Sequence, residues 1–152
     1  MDRRKILIAD DEPAVRLIVG RMLGEEYTVL EAADGEEAVD VAREQQPDLI
    51  LMDLMMPKLD GYAACLRIKT DQATKGIPVV MLTAIGHELN KRFAEEMGAD
   101  GYITKPFTCE SLREDMRQLL LLHGRLAERE SPEQSGIQEP GYVGWSKQQI
   151  TD

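Results

Sequence analysis

The sequence predicts an α/β domain: a doubly wound, five-stranded parallel sheet flanked by five helices. Three observations lead there. Five short apolar runs recur along the chain, segments of helical period separate them, and the runs are apolar at nearly every position, which suits strands covered on both faces. Strand and helix alternating in this way imply parallel βαβ units, and right-handed crossovers then put helices on both sides of the sheet.

The elements follow in order. The first run is Ile6 to Ala9. A helix follows it, with Pro13 suited to a first turn and with Val15, Ile18, Val19 and Met22 at i, i+3, i+4, i+7 spacing. The second run is Tyr27 to Leu30, and Gly35 to Gln46 reads as a helix stopped by Pro47. Leu49 to Met52 form the third run, followed by a weaker helical segment from Asp60 to Thr70 with Tyr62, Leu66 and Lys69 along one side. Val79 to Leu82 are the fourth run. Leu89, Phe93 and Met97 then repeat every four residues, and Gly98 stands where a glycine ends a helix. The fifth run is Tyr102-Ile103, and the last helix is expected from near Thr108 to about Arg129.

The bulk numbers narrow the classes of function. A chain of 152 residues, 43% hydrophobic and 30% charged, can bury one sizeable core. Aromatics make up 5%, so the core must be mostly aliphatic. A formal net charge of −10 repels nucleic acid and anionic lipid, which favours a protein or metal partner. Cys65 and Cys109 have no paired spacing and read as free thiols in a reducing compartment. Neither a signal peptide nor an 18-residue apolar span is evident, so a cytoplasmic location is expected.

In doubly wound sheets the functional crevice lies at the carboxyl ends of the strands. The first run ends in Asp10-Asp11, the third in Asp53, the fourth in Thr83-Ala84 and the fifth in Thr104-Lys105-Pro106. Three carboxylates, a hydroxyl and an ammonium would therefore converge. Crowded anions raise one another's pKa, and a hard divalent cation relieves them; Mg²⁺ favours such oxygen ligands. A carboxylate nucleophile can form an acyl phosphate, with Lys105 neutralising one phosphoryl oxygen, Thr83 donating to another and small Ala84 leaving the approach open. Taken singly, these residues admit blander readings. Asp10 and Asp11 could cap the helix after them, with Asp11 doing both jobs. Thr83 could be structural and Asp53 a turn residue, although a buried one would be unfavourable. His87 and His123 have no matching ligand partners and read as surface or helix residues.

Five stretches together resemble the bacterial response-regulator receiver family. They are Ile6-Leu7-Ile8-Ala9-Asp10-Asp11-Glu12, Leu51-Met52-Asp53-Leu54-Met55-Met56-Pro57, Asp60-Gly61, Val80-Met81-Leu82-Thr83-Ala84, and Gly98 through Phe107. The resemblance covers roughly residues 4 to 123. It implies a flavodoxin-like receiver fold of strand order 2-1-3-4-5 and a chemotaxis-regulator-like, single-domain member of a two-component phosphorelay. Asp53 would be the phosphoacceptor, taking a phosphoryl group from a histidine kinase or phosphotransfer protein. Asp10 and Asp11 would hold Mg²⁺ together with Asp53 and the backbone carbonyl of Met55. Thr83 and Lys105 would bind phosphoryl oxygens, and the Lys105-Pro106 bond would be cis. Tyr102 matches the aromatic switch position, with plain core packing as its alternative. Met55 and Ile85 match the positions flanking the attacking water; both are apolar, which implies slow self-dephosphorylation. The chain would not be an enzyme beyond catalysing its own phosphorylation and dephosphorylation. A downstream protein would read the face made by the fourth helix, fifth strand and fifth helix. A phosphohydrolase of the haloacid-dehalogenase type would carry an acid where Met55 stands, and a flavodoxin-like cofactor binder would carry a Gly/Ser/Thr-rich phosphate loop after the first strand. A phosphate sink, a scaffold, or a fragment of a longer regulator remain as alternatives.

The C-terminal end reads differently. Leu112, Met116, Leu119, His123 and Leu126 follow the spacing of a coiled-coil seam, and Leu120, Leu121 and Leu122 add apolar surface. Such a helix could take a homodimer mate, a histidine kinase or the chain's own tail; the alternative is a long terminal helix packed on one side with frayed, exposed leucines. Residues 1–130 are expected to form the receiver with its extended last helix. From Ser131 the composition becomes linker-like, and the tail spanning 131–152 is either disordered or a docking peptide anchored by Tyr142 and Trp145.

Overall fold

The structure, a computed structural model, describes residues 3–84 and 91–123. Five parallel strands form one sheet in the order β2-β1-β3-β4-β5, the expected order. The strands are β1 (Lys5–Ala9), β2 (Thr28–Ala32), β3 (Leu49–Asp53), β4 (Val79–Ala84) and β5 (Gly101–Lys105). The helices are α1 (Pro13–Leu23), α2 (Gly35–Gln45), α3 (Gly61–Thr70), α4 (Lys91–Glu96) and α5 (Cys109–His123).

Alternation along the strands builds two cores. Leu7, Ala9, Ile50, Met52, Val79, Met81 and Tyr102 face the side covered by α2, α3 and α4. Ile6, Ile8, Leu49, Leu51, Val80, Leu82 and Ile103 face the side covered by α1 and α5. That is why β3 and most of β4 are apolar at consecutive positions. β2 is an edge strand, and it exposes Thr28 and Glu31.

Local chemistry sets the helix starts. Asp34 accepts the Glu37 amide while Glu37 reaches back to the Ala33 amide, which opens α2. Asp60 accepts the Ala63 amide at the start of α3. Thr108 and Ser111 exchange hydrogen bonds at the start of α5. Gly98 has φ +98°, the left-handed conformation that ends α4, as its position suggested.

Helix faces differ from the expected stripes. In α1 the fully buried pair is Val19 and Leu23; Ile18 is 48% exposed, because the apolar arc is wider than the strip the sheet covers. In α3 the buried side is Ala64, Cys65 and Ile68, not Tyr62, Leu66 and Lys69. Small residues there let α3 lie close to the sheet beside the alanines of α2. Lys69 instead reaches the Ile77 carbonyl and the Asp100 carboxylate. In α4 the inward residue is Ala94; Phe93 is partly exposed and meets the Tyr62 ring edge-on. In α5 the supposed seam is already occupied: Leu112, Met116 and Leu119 are fully buried in the domain's own core, with Leu120 beside them. His123 closes the helix half-buried, and Leu121 is exposed. Leu89, Leu126, the helix beyond His123 and the tail readings at Ser131, Tyr142 and Trp145 lie outside the described residues. Both cysteines are free, Cys65 buried and Cys109 half-buried. Among the described residues no helix is long and apolar enough to cross a membrane.

Two glycines with opposite surroundings test this packing. A Cβ on Gly61 would stand 2.3 Å from the Asp53 carbonyl oxygen, whereas one on Gly20 would meet nothing within 4 Å. In urea denaturation, Gly61→Ala is expected to destabilise by about 1–3 kcal/mol. Gly20→Ala, inside α1, is expected to stabilise by about 0.5–1 kcal/mol.

Candidate functional site

Four strands deliver their carboxyl ends to one edge of the sheet. Asp10 directly follows β1, Asp53 ends β3, Thr83 is the penultimate residue of β4 and Lys105 ends β5. The register explains the convergence: Ala9 pairs with Met52, Asp53 with Leu82, Thr83 with Thr104 and Ala84 with Lys105.

Asp10 is fully buried, Asp53 nearly so, and Asp11 is exposed. Carboxylate oxygens of all three lie within 4.8 Å of one another, a spacing at which one cation could touch each of them. The Lys105 ammonium stands between the two buried carboxylates, 3.0 Å from Asp10 Oδ2 and 3.5 Å from Asp53 Oδ1. Asp10 Oδ1 also accepts the Glu12 amide at 2.9 Å. The capping reading holds for neither aspartate: Glu12 stands at the N-cap of α1, no side chain caps the helix, and Asp10 Oδ1 accepts only the amide of the N-cap residue itself.

The electrostatics are those of an under-neutralised anionic cluster. Burial, then the charge of Asp10, push the Asp53 carboxyl up from 3.8 to about 6, against the pull of Lys105. Lys105 titrates above its ordinary value: burial alone would lower it, but the hydrogen bond to Asp10 and the charges of both carboxylates outweigh burial. Thr83 Oγ1 is buried and has no hydrogen-bond partner among the described residues. A buried hydroxyl without a partner is unfavourable unless something polar arrives to receive it. Hard oxygen donors of net negative charge fit Mg²⁺.

The loop after Asp53 folds back over the strand end. Lys58 adopts φ +68°, and the Gly61 amide donates to the Leu54 carbonyl at 2.9 Å. Met55, two residues past Asp53, is 62% exposed. The Lys105-Pro106 bond is cis. Tyr102 is buried in the core on the α4 side, which fits the packing alternative as well as the switch. Ile85 and His87 lie outside the described residues. Sequence reading missed Arg16, whose guanidinium reaches the Asp10 carbonyl; its only signal was one charge on an otherwise apolar helix start.

A family model, the response regulator receiver domain, matches residues 6–117. The DNA-binding dual master transcriptional regulator RpaA of Synechocystis is 44% identical over 119 residues, covering 76% of this chain and 48% of the regulator. Chemotaxis protein CheY4 of Vibrio cholerae superposes with TM-score 0.73 at 31% identity, over 78% of this chain and 99% of that one. The receiver domain of sensor histidine kinase PA1611 from Pseudomonas aeruginosa has a magnesium ion coordinated in its active-site cleft; it superposes with TM-score 0.70 at 32% identity, over 76% and 96% of the two chains. This chain spans about half the length of the curated relatives it matches. The similar proteins include chemotaxis and transcription regulators alike, so the narrower chemotaxis-like, single-domain expectation is not singled out.

The shifted Asp53 carboxyl has a consequence for stability. Between pH 3.8 and about 6 the folded chain holds this proton and the unfolded chain does not, so stability falls as pH rises through that window. Above it the ionised carboxylate costs on the order of 2–3 kcal/mol. In chelator, Asp53→Asn is therefore expected to stabilise at pH 7.5 by up to that amount, and the gain should shrink below 1 kcal/mol or so near pH 4. Urea denaturation at both pH values measures it.

Proposed function

The chain belongs to the response regulator receiver family, and from that premise we propose that Asp53 is its phosphoacceptor and that Mg²⁺ is its cofactor. The observation that carries this reading is the Lys105 ammonium lodged between buried Asp10 and Asp53, beside a buried Thr83 hydroxyl that has no hydrogen-bond partner among the described residues. A lysine there keeps two carboxylates in one pocket, and the free hydroxyl leaves a place for an incoming oxygen.

In this reading an Asp53 oxygen attacks the donor's phosphorus. The bond to the leaving group, an imidazole nitrogen of a phosphohistidine, breaks, and an acyl phosphate remains on Asp53. Lys105 turns from Asp53 to one phosphoryl oxygen and Thr83 donates its hydroxyl to another. Asp10, Asp11, Asp53 and the Met55 backbone carbonyl would hold Mg²⁺, which when bound neutralises charge on the carboxylates and the phosphoryl oxygens. The protein would be its own substrate rather than a turnover enzyme.

Movement of Thr83 toward the phosphoryl group would free space beside Tyr102. By strand alternation both residues belong to the α4 side of the sheet, and this supports a change at the α4-β5-α5 face as the output to a downstream protein. Receiver domains of this family interact with histidine kinases, and a sensor kinase or phosphotransfer protein is the proposed donor. A homodimer through α5 would have to use the face bearing Leu121, since the Leu112-Met116-Leu119 stripe is buried. Two free thiols support a cytoplasmic location. A net charge of −10 on this chain opposes contact with a polyanion, and its partners are proposed to be proteins and a metal ion.

Incubation with a small phosphodonor and Mg²⁺ should add one phosphoryl mass to wild type and none to Asp53→Asn. No adduct in wild type would sink the reading. Apolar Met55 and Ile85 cannot orient a water, so decay of the acyl phosphate should be slow. Met55→Asn with Ile85→Glu should accelerate it by about tenfold or more if water positioning limits hydrolysis; unchanged decay of the radiolabelled protein would refute that role.

A further inference from the structure

Two of the aspartates proposed to hold the cation, the neighbours Asp10 and Asp11, differ in how they are held. Asp10 is fully buried and bonded through every polar group it has. Its amide donates to the Ala32 carbonyl at 3.0 Å, Oδ1 accepts the Glu12 amide and Oδ2 accepts Lys105. Its carbonyl accepts Arg16 Nη1 at 2.7 Å. Asp11 is exposed, so what aims it is the backbone from which it grows.

That backbone begins with the Asp10–Asp11 peptide. The peptide is planar, so fixing the Asp10 carbonyl fixes the whole unit up to the Asp11 Cα. The Arg16 guanidinium grips this carbonyl from inside α1, six residues along. Its Nε donates at the same time to Glu31 Oε1 at 2.9 Å, on edge strand β2. Arg16 is mostly sheltered, with 18% of its side chain exposed, while Glu31 is 54% exposed. Such a pair adds little to stability, because an exposed carboxylate gains little from pairing. The fork geometry of arginine suits a different task, holding two acceptors at once in fixed directions.

We propose that Arg16, braced by Glu31, is a positioning residue that fixes the peptide plane joining Asp10 to Asp11 and so sets both carboxylates for a divalent cation. The inference rests on the reading that these aspartates bind Mg²⁺. It adds a part of the site supplied by α1 and β2, elements that carry none of the ligands. Groups one layer behind the ligands commonly change metal affinity by 10–100-fold when removed, and one acting on a backbone carbonyl belongs at the lower end.

The test is Mg²⁺ titration of the unphosphorylated, isotope-labelled protein, followed by backbone amide resonances. Arg16→Gln should raise the Kd about tenfold. Its Asp11 amide should shift already without metal, while α5 amides stay in place. Glu31→Gln should raise the Kd less, and the double variant should match Arg16→Gln alone, because the brace works only through the arginine. Arg16→Lys keeps the charge but can hold only one acceptor, so it should recover part of the affinity. An Arg16→Gln Kd within twofold of wild type would overturn the proposal, and so would full recovery by Arg16→Lys, which would leave charge as the whole effect. Should Arg16→Gln fail to fold, exposed Glu31→Gln decides, and an unchanged Kd overturns the proposal. A wild type that binds no Mg²⁺ would instead overturn the metal reading itself.

Discussion

Like-charge repulsion at one edge of the sheet is the constraint on which the rest depends. Asp10 and Asp53 are buried side by side with Asp11 close at hand, and one ammonium, Lys105, stands between the buried pair. One positive charge against three negative ones leaves the cluster under-neutralised, and burial, then the charge of Asp10, raise the Asp53 carboxyl to about 6. A fold that keeps such a cluster in place has unfavourable electrostatics at that edge, and the site is ready for anything that brings positive charge or takes negative charge away.

The rest of the molecule can be understood as what holds that edge. The two cores clamp the sheet from both sides, so the strand ends cannot drift apart. Small residues bring the covering helices close: Ala38 and Ala42 on α2, and Gly61 and Ala64 on α3. Gly61 has the most specific task, because the loop from Leu54 returns across the Asp53 backbone with no room for a side chain. On the opposite side α5 buries Leu112, Met116 and Leu119 against α1 and the sheet, which anchors the helix that follows Lys105 and Pro106.

The exposed apolar residues have a consistent distribution. Leu17 and Ile18 on α1, Met55 beside the site, Leu66 and Phe93 on α3 and α4, and Leu121 on α5 all lie outside the two cores. Four of the five helices, α2 being the exception, carry more apolar surface than the sheet covers. Periodicity therefore locates a helix well and its buried face less well. In α3 the tall side chains of Tyr62 and Leu66 were the obvious stripe, yet Ala64 and Cys65 face inward because close approach to the sheet rewards small volume.

Sequence by itself determined the five strands, the site residues at their ends and the glycine that closes α4, since apolar runs of strand length and turn residues are local signals. It also determined that Asp10, Asp11, Asp53, Thr83 and Lys105 share one crevice, because every parallel strand ends at the same edge. Only the tertiary structure decided which aspartate is buried, since that depends on how α1 leaves β1 and on the reach of Lys105 across two strands. Only it decided that the leucine stripe of α5 belongs to the core, because a stripe looks the same whether its partner is the same chain or another. The grip of Arg16 on the Asp10 carbonyl, braced by Glu31 from a neighbouring strand, was likewise invisible along the chain: a hydrogen bond to a backbone carbonyl leaves no residue pattern, and only folding brings the three groups together.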